Sequence, residues 1–250
     1  MLRVLKRRAF SLADLLTRPK KVRHIIMREF EFSQLRHIII RDTQYKQRRS
    51  NKTKWVEYQK YDSLDHISLM RKNNMDWSVL SKERLDIISN MVNQAGSSLR
   101  VLDVGCGDGV VGRVIERMGN SVTSVELPKT ANAAHSCQVT SIIAGDAEQL
   151  GFAPNTFDLV LASEVMEHLW KPSSFLAEAY RVLKPKGYLI AETPEGKEGL
   201  VFDAHRHFFT VEIFKQLFNG KFSILEWKRL KPINTTIPTI IVLSRKINAS

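Results

Sequence analysis

From residue 81 onward the apolar positions follow two periods in turn. Residues 81–93 place Leu85, Ile87, Ile88, Met91 and Val92 among charged neighbours, the spacing of an amphipathic helix. Gln94-Ala95-Gly96-Ser97-Ser98 ends it. Residues 99–104 are a mostly apolar stretch of strand length, and residues 110–118 return to a helical stripe through Val111, Val114, Ile115 and Met118. Residues 121–125, 139–144 and 157–162 read as three further strands. Residues 174–183 read as a helix closed by Lys184-Pro185-Lys186-Gly187, with a fifth strand at 188–192. A helix over 210–218 has Thr210 as its cap, and 222–227 and 239–244 complete a set of seven strands.

Strands that are apolar throughout and separated by helices must be covered on both faces, which makes a sheet mostly parallel. The expected fold is therefore α/β, a doubly wound, mostly parallel seven-stranded sheet with helices on both faces. In such a sheet a ligand sits beyond the carboxyl ends of the strands, near the reversal of strand order.

Charge divides the chain. Residues 1–60 hold 17 Lys/Arg against 5 Asp/Glu, while the remainder balances at 21 of each sign. The whole net charge of +12 thus resides in a basic N-terminal extension. Leu2, Leu5, Leu12, Leu15 and Leu16 recur near a helical spacing there, with Arg3, Lys6, Arg7 and Arg8 beside them, which is the pattern of a surface-lying or partner-packed helix. Residues 41–54 read as a polar linker. Three regions result: the basic extension at 1–60, a helical lead-in and acceptor-side cap at 61–98, and the main domain at 99–250.

Arg7-Arg8 superficially resembles an export signal, but residues 11–23 carry Asp14, Arg18, Lys20 and Lys21 in place of an apolar core. An Arg-rich, acid-poor start also fits an organellar transit peptide. No stretch reaches the 18 or so apolar residues of a spanning helix. Cys106 lies inside a glycine loop, so no structural disulfide to Cys137 is expected, and a reducing cytoplasm suits the chain. The extension could hold it at the inner face of a membrane.

The chemistry begins at 99–109, Leu-Arg-Val-Leu-Asp-Val-Gly-Cys-Gly-Asp-Gly. An apolar strand breaks into glycines at alternate positions, where the main chain can take left-handed angles and lie against a ligand. The dinucleotide fingerprint G-x-G-x-x-G would need glycine at Val110, so a nicotinamide enzyme is disfavoured. Glu126 ends the second strand, where a carboxylate can accept from both hydroxyls of a ribose. Asp146 and Ala147 follow the third strand, and Ser163-Glu164-Val165-Met166-Glu167-His168 follows the fourth. One acid after a strand is an ordinary loop residue; acids after successive strands are a site.

These residues resemble the class I S-adenosylmethionine-dependent methyltransferases, most closely the type 11 and type 23 group that includes ubiquinone and menaquinone biosynthesis enzymes. The likeness rests on VLDVGCGDG at 101–109, VTSVE at 122–126, GDAEQLGFAPNTFDLVLASEVMEHL at 145–169, EAYRVLKPKGYLIAETP at 178–194 and HRHFFTVEIFKQLF at 205–218. It implies a Rossmann-like sheet and S-adenosyl-L-methionine as cofactor. It also implies roles. Asp103, Gly105, Cys106, Gly107 and Gly109 would hold the methionine end, and Glu126 the ribose. Asp146 and Ala147 would read adenine, and Ser163 would line the methyl-transfer channel. Lys186 departs from the family, which often has a second glycine there.

The resemblance implies in-line methyl transfer to a small-molecule, saccharide or lipid-linked acceptor, with oxygen as the accepting atom. Amino-methylating nucleic-acid enzymes carry Asp/Asn-Pro-Pro-aromatic after the fourth strand, where this chain has Ser163-Glu164-Val165-Met166. Pyrimidine C5 methylation needs a nucleophilic cysteine that neither Cys106 nor Cys137 provides. Two alternatives stay open: an RNA or other nucleic-acid methyltransferase using the basic extension, and a non-catalytic cofactor-binding or membrane-docked scaffold. A hydroxyl acceptor is helped by a base, for which His168, His205 and His207 are the candidates. No metal is expected, because His205-x-His207 lacks an evident third ligand.

Overall fold

The computed structural model describes residues 82–107, 109–128, 131, 141–196, 205–230 and 238–247. The helix and linker expected within residues 1–60, the start of the cap, Cys137 and the first residues of the third predicted strand lie outside them. The described elements are α1 (Lys82–Ala95), β1 (Arg100–Val104), α2 (Val110–Arg117), β2 (Ser121–Glu126), β3 (Ile142–Ala144), β4 (Phe157–Ser163), α3 (Pro172–Val182), β5 (Leu183–Pro194), α4 (Val211–Phe218), β6 (Phe222–Leu230) and β7 (Thr239–Lys246). Among the described residues no helix is long and apolar enough to cross a membrane.

The seven strands form one sheet in the order β3-β2-β1-β4-β5-β7-β6. β1 pairs in parallel with β2 on one side and β4 on the other, and the strand order reverses between β1 and β4. β7 runs antiparallel to both its neighbours, so it is inserted between β5 and β6 in reverse. Helices cover both faces, as alternation along each strand demands. Leu102, Val104, Val160, Ala162, Leu189 and Val242 join Phe175, Phe214 and Phe218 of α3 and α4 in one core. Val101, Leu159, Leu161, Ile190 and Ile241 join Ile88, Met91 and Val92 of α1 and Ile115 of α2 in the other.

Two boundaries differ from the sequence pattern. α3 starts at Pro172, whose fixed φ and missing N–H suit the first turn. β5 starts at Leu183, five residues before the predicted strand. Leu183 pairs with Phe157 and Tyr188 with Leu159, so residues 184–187 stand out of the ladder as a bulge. The Lys-Pro-Lys-Gly turn is thus real but lies inside a strand. Lys186 sits there at φ 63°, a left-handed angle that favours glycine and that gives a physical reason for the family's second glycine.

The motif at 178–183 is a clamp. The Arg181 guanidinium donates to the carbonyls of Phe152 (2.6 Å) and Leu150 (2.8 Å), and Glu178 accepts from the Leu150 N–H (2.7 Å). Arg181 also donates to Glu178 at 2.8 Å through both Nε and Nη2. One turn of α3 thereby fixes the loop that leads from β3 into β4.

Arg181→Ala should lower stability by about 1–3 kcal/mol, the range for hydrogen bonds to a charged group. The bond from Arg181 holds the Glu178 carboxyl below its ordinary value of 4.5. A carboxyl with a depressed folded value stabilises fully above its unfolded value and loses that contribution as pH falls through the folded one. Urea unfolding should therefore separate wild type from Glu178→Gln at pH 7, and the two should converge well below pH 4.5. A difference that does not change with pH would contradict the clamp.

Candidate functional site

The carboxyl ends of β1, β2, β4 and β5 meet where the strand order reverses. β1 leaves the sheet through Gly105, whose N–H donates to the Val125 carbonyl at 2.7 Å. Gly105 has φ 70°, and a Cβ there would overlap Val165 Cγ2. Gly107 has φ 54°, yet a Cβ on it would meet nothing within 4 Å among the described residues. The loop thus presents bare backbone to open space at Gly107 while it is wedged at Gly105. Gly109 continues at φ 74° into the start of α2.

Glu126 stands beside this loop at the end of β2. Its Oε2 accepts from the Gly107 N–H (2.9 Å) and its Oε1 from the Leu127 N–H (2.7 Å). Asp103 is buried in β1 beneath α2, and a Cβ on Gly112 would come within 3.0 Å of its Oδ2. Burial first, then the charges of Asp103 and Glu126, push the half-buried Cys106 thiol above its ordinary range, which favours its protonated form. Asp146 is buried in a tight turn after β3, its Oδ1 accepting from the Glu148 N–H (2.9 Å). Ala147 lies in the same turn, packed against the first core.

Register brings two more residues together. Ser163 at the end of β4 lies beside Glu192 of β5. The Ser163 hydroxyl donates to Glu192 Oε2 (2.5 Å) and accepts from Arg84 Nη2 of α1 (2.6 Å). Arg84 Nε lies 2.6 Å from Glu192 Oε1, and Glu192 is fully buried. Ser163 is therefore at the predicted place, with its hydroxyl committed to this triad. Glu164 follows at φ 56°, a left-handed angle that is costly for a side-chain-bearing residue and frequent at functional sites.

Three carboxyls, Glu164, Glu167 and Glu192, gather around one guanidinium. Burial and then the Glu192 charge raise the Glu164 carboxyl to about 7. Burial and then Glu164 raise Glu167 well above the usual carboxylate range. Burial opposes the Arg84 charge, but Glu192, Glu164 and Glu167 outweigh it and hold the group above its ordinary value.

The histidine candidates separate. His207 Nε2 donates to the Leu169 carbonyl at 2.9 Å, which fixes the ring as a brace for its loop. His168 and His205 meet edge to face, with centroids 4.7 Å apart. Glu167 is buried beside them. Its Oε2 accepts from Thr193 Oγ1 (2.8 Å), while its Oε1 is buried and lies 3.8 Å from His168 Nε2. Glu167, His168 and His205 offer ligand atoms all within 4.8 Å of one another. Glu167 and His168, and not His207, are the groups that stand with His205 in this cluster. One carboxylate and two imidazoles can hold a divalent cation.

Sequence reasoning missed Arg84 and Glu192. Arg84 lies on the charged face of a helix 79 residues before Ser163, and no spacing rule links the two. Glu192 had a signal, an acid at the end of an otherwise apolar strand.

Residues 102–191 match a family profile described as a methyltransferase domain. A mitochondrial ubiquinone biosynthesis O-methyltransferase of Schizosaccharomyces pombe is 28% identical over 149 residues, which are 53% of this chain and 54% of that protein. A ubiquinone biosynthesis O-methyltransferase of Maricaulis maris is 42% identical over 104 residues, 38% of this chain and 40% of that protein. The chain thus spans about half the length of the curated relatives it matches. Among solved structures, a Burkholderia thailandensis 1,6-didemethyltoxoflavin-N1-methyltransferase, crystallised with S-adenosylhomocysteine, covers 80% of this chain and 92% of its own, at TM-score 0.64 and 18% identity. The [4+2]-cyclase SpnF shares the fold at TM-score 0.53 and 19% identity, over 61% of this chain and 76% of its own.

Removing one partner of a buried ion pair typically costs about 3–5 kcal/mol, because the other charge is left uncompensated. Arg84→Met should lose an amount in that range in urea unfolding. Arg84→Met with Glu192→Gln should recover most of it. A double variant as unstable as the single one would show that Glu192 is not the group that Arg84 neutralises.

Proposed function

We propose that this chain, whose residues 102–191 are a class I S-adenosylmethionine-dependent methyltransferase domain of the type 11 group, transfers the methyl group of S-adenosyl-L-methionine to a hydroxyl of a small-molecule acceptor. The observation that carries the cofactor assignment is the meeting of Gly107 and Glu126. Bare backbone faces open space beside a carboxylate whose present partners are loop N–H groups. In this reading Asp103 and the loop from Gly105 through Cys106, Gly107 and Gly109 hold the methionine end. Glu126 takes the ribose hydroxyls, and Asp146 with the Ala147 N–H reads adenine. Ser163 lines the channel through its position, while its hydroxyl serves Arg84 and Glu192.

Methyl transfer from a sulfonium is an in-line displacement, in which the acceptor oxygen bonds to carbon as the carbon–sulfur bond breaks. The protein's contribution is alignment, which can supply about 7–11 kcal/mol of the barrier. A hydroxyl is a poor nucleophile while protonated. A divalent cation held by Glu167, His168 and His205 would acidify a hydroxyl bound to it, whose proton would leave to solvent. Hydroxyl methylation also fits the relatives named as ubiquinone biosynthesis O-methyltransferases.

Calorimetric titration of the full chain with S-adenosylhomocysteine tests the reading. Wild type should bind. Glu126→Ala and Asp146→Ala should each weaken binding at least tenfold, about 1.4 kcal/mol, with an unchanged far-ultraviolet spectrum. Wild-type affinity in both variants would overturn the assignment. Titration with Mn²⁺ should likewise show one site in wild type and none in Glu167→Gln, and equal Mn²⁺ binding by both would remove the cation from the scheme.

A further inference from the structure

The side chain of Glu148 ties the turn that carries Asp146 to the loop that carries Glu167 and His168. Glu148 Oε1 accepts from the Trp170 N–H (2.6 Å) and the Lys171 N–H (3.0 Å). Lys171 is the N-cap of α3, with φ −142°, and no side chain of its own caps that helix. A helix start needs acceptors for its free N–H groups and favours negative charge. Here the carboxylate comes from another element, 22 and 23 residues earlier in the chain. The Glu148 N–H donates in turn to Asp146 Oδ1, and the Gln149 N–H to the Asp146 carbonyl. Asp146 and Glu148 therefore cannot shift independently.

The far side of the link is equally constrained. Backbone hydrogen bonds join the segment between Ser163 and α3 to residues 205–207. The His168 N–H donates to the Val165 carbonyl (3.0 Å), and the Glu167 carbonyl accepts from the N–H groups of Arg206 (2.7 Å) and His207 (3.2 Å). A displacement at Trp170 and Lys171 is thus passed to Glu167, His168 and the 205–207 segment.

We propose that Glu148 is a positioning residue that couples the adenine turn to the acceptor-side loop, so that occupancy of the cofactor site orders residues 165–171 and sets the places of Glu167 and His168. This rests on the assignment of adenine to Asp146 and Ala147. The clamp of Glu178 and Arg181 holds residues 150–152 by separate bonds. Glu148 can therefore be changed without releasing the β3–β4 connection from α3. By reciprocity, an acceptor that orders the loop tightens the cofactor in turn.

Amide hydrogen exchange of the full chain, read by mass spectrometry with and without saturating S-adenosylhomocysteine, tests the coupling. In wild type the ligand should slow exchange several-fold across peptides covering residues 165–171 as well as 145–149. In Glu148→Ala the 145–149 protection should persist and the 165–171 protection should vanish. Glu148→Gln keeps an acceptor oxygen and should restore it, which a loss of stability alone would not produce. Should Glu148→Ala fail to fold, Glu148→Asp, whose shorter arm cannot span the gap, is read in the same way and should also lose the 165–171 response. Ligand-induced protection of 165–171 that survives in the Ala or Asp variant overturns the coupling, as does its absence in wild type that binds the ligand. Failure of wild type to bind would instead remove the cofactor assignment, and the coupling with it.

Discussion

The turn at the end of β1 has no room for a side chain at Gly105, while at Gly107 no described residue comes within 4 Å of an added Cβ. Val165 presses on Gly105 from β4's outgoing loop, and Glu126 grips Gly107 from the end of β2. The loop is held between the two strands that flank β1, at the point where the sheet reverses its order. Everything proposed about the cofactor depends on this geometry. A larger residue at 105 would push β1 and the post-β4 loop apart, and with them Glu126 from Glu164 and Glu167. The glycines serve two distinct ends, close packing at Gly105 and exposed backbone at Gly107.

The second half of the site is organised by charge. Burying Glu192 would be costly without Arg84, and Arg84 reaches it from α1, the last element of the N-terminal cap. The same guanidinium holds the Ser163 hydroxyl, so α1 is fastened to the ends of β4 and β5. Glu164 and Glu167 stand beside the same guanidinium, and burial with the neighbouring carboxyls raises both toward the neutral form. Glu167 also lies with the imidazoles of His168 and His205, close enough for the three to share one cation.

Much of this was legible in the residues. The seven strands, the helices on both faces and the switch point follow from apolar runs and helical stripes, because covering two faces of a sheet leaves few arrangements. The reversed direction of β7 was not legible, since an apolar strand reads the same in either sense. Nor was the bulge in β5, where Lys186 takes an angle that its side chain disfavours. Asp103 was visible as an acid within an apolar strand just before the glycines, Glu126 because it ends a strand and Asp146 because it follows one. Arg84 and Glu148 were hidden because their partners are distant in sequence and two of them are backbone N–H groups, which leave no mark on composition. His205 and His207 looked equivalent in sequence. One carbonyl, that of Leu169, separates them by fixing His207 as a brace.

The claim on which the rest turns is that the cofactor lies against Gly107 with its ribose on Glu126 and its adenine on the Asp146 turn. A crystal structure of the full chain grown with S-adenosylhomocysteine tests it directly. The account predicts density running from the 105–109 loop to Asp146, with Glu126 accepting from both ribose hydroxyls and the sulfur facing Ser163 and Glu164. A ligand bound elsewhere, or bound here with Glu126 still closed on the Gly107 N–H, would contradict it.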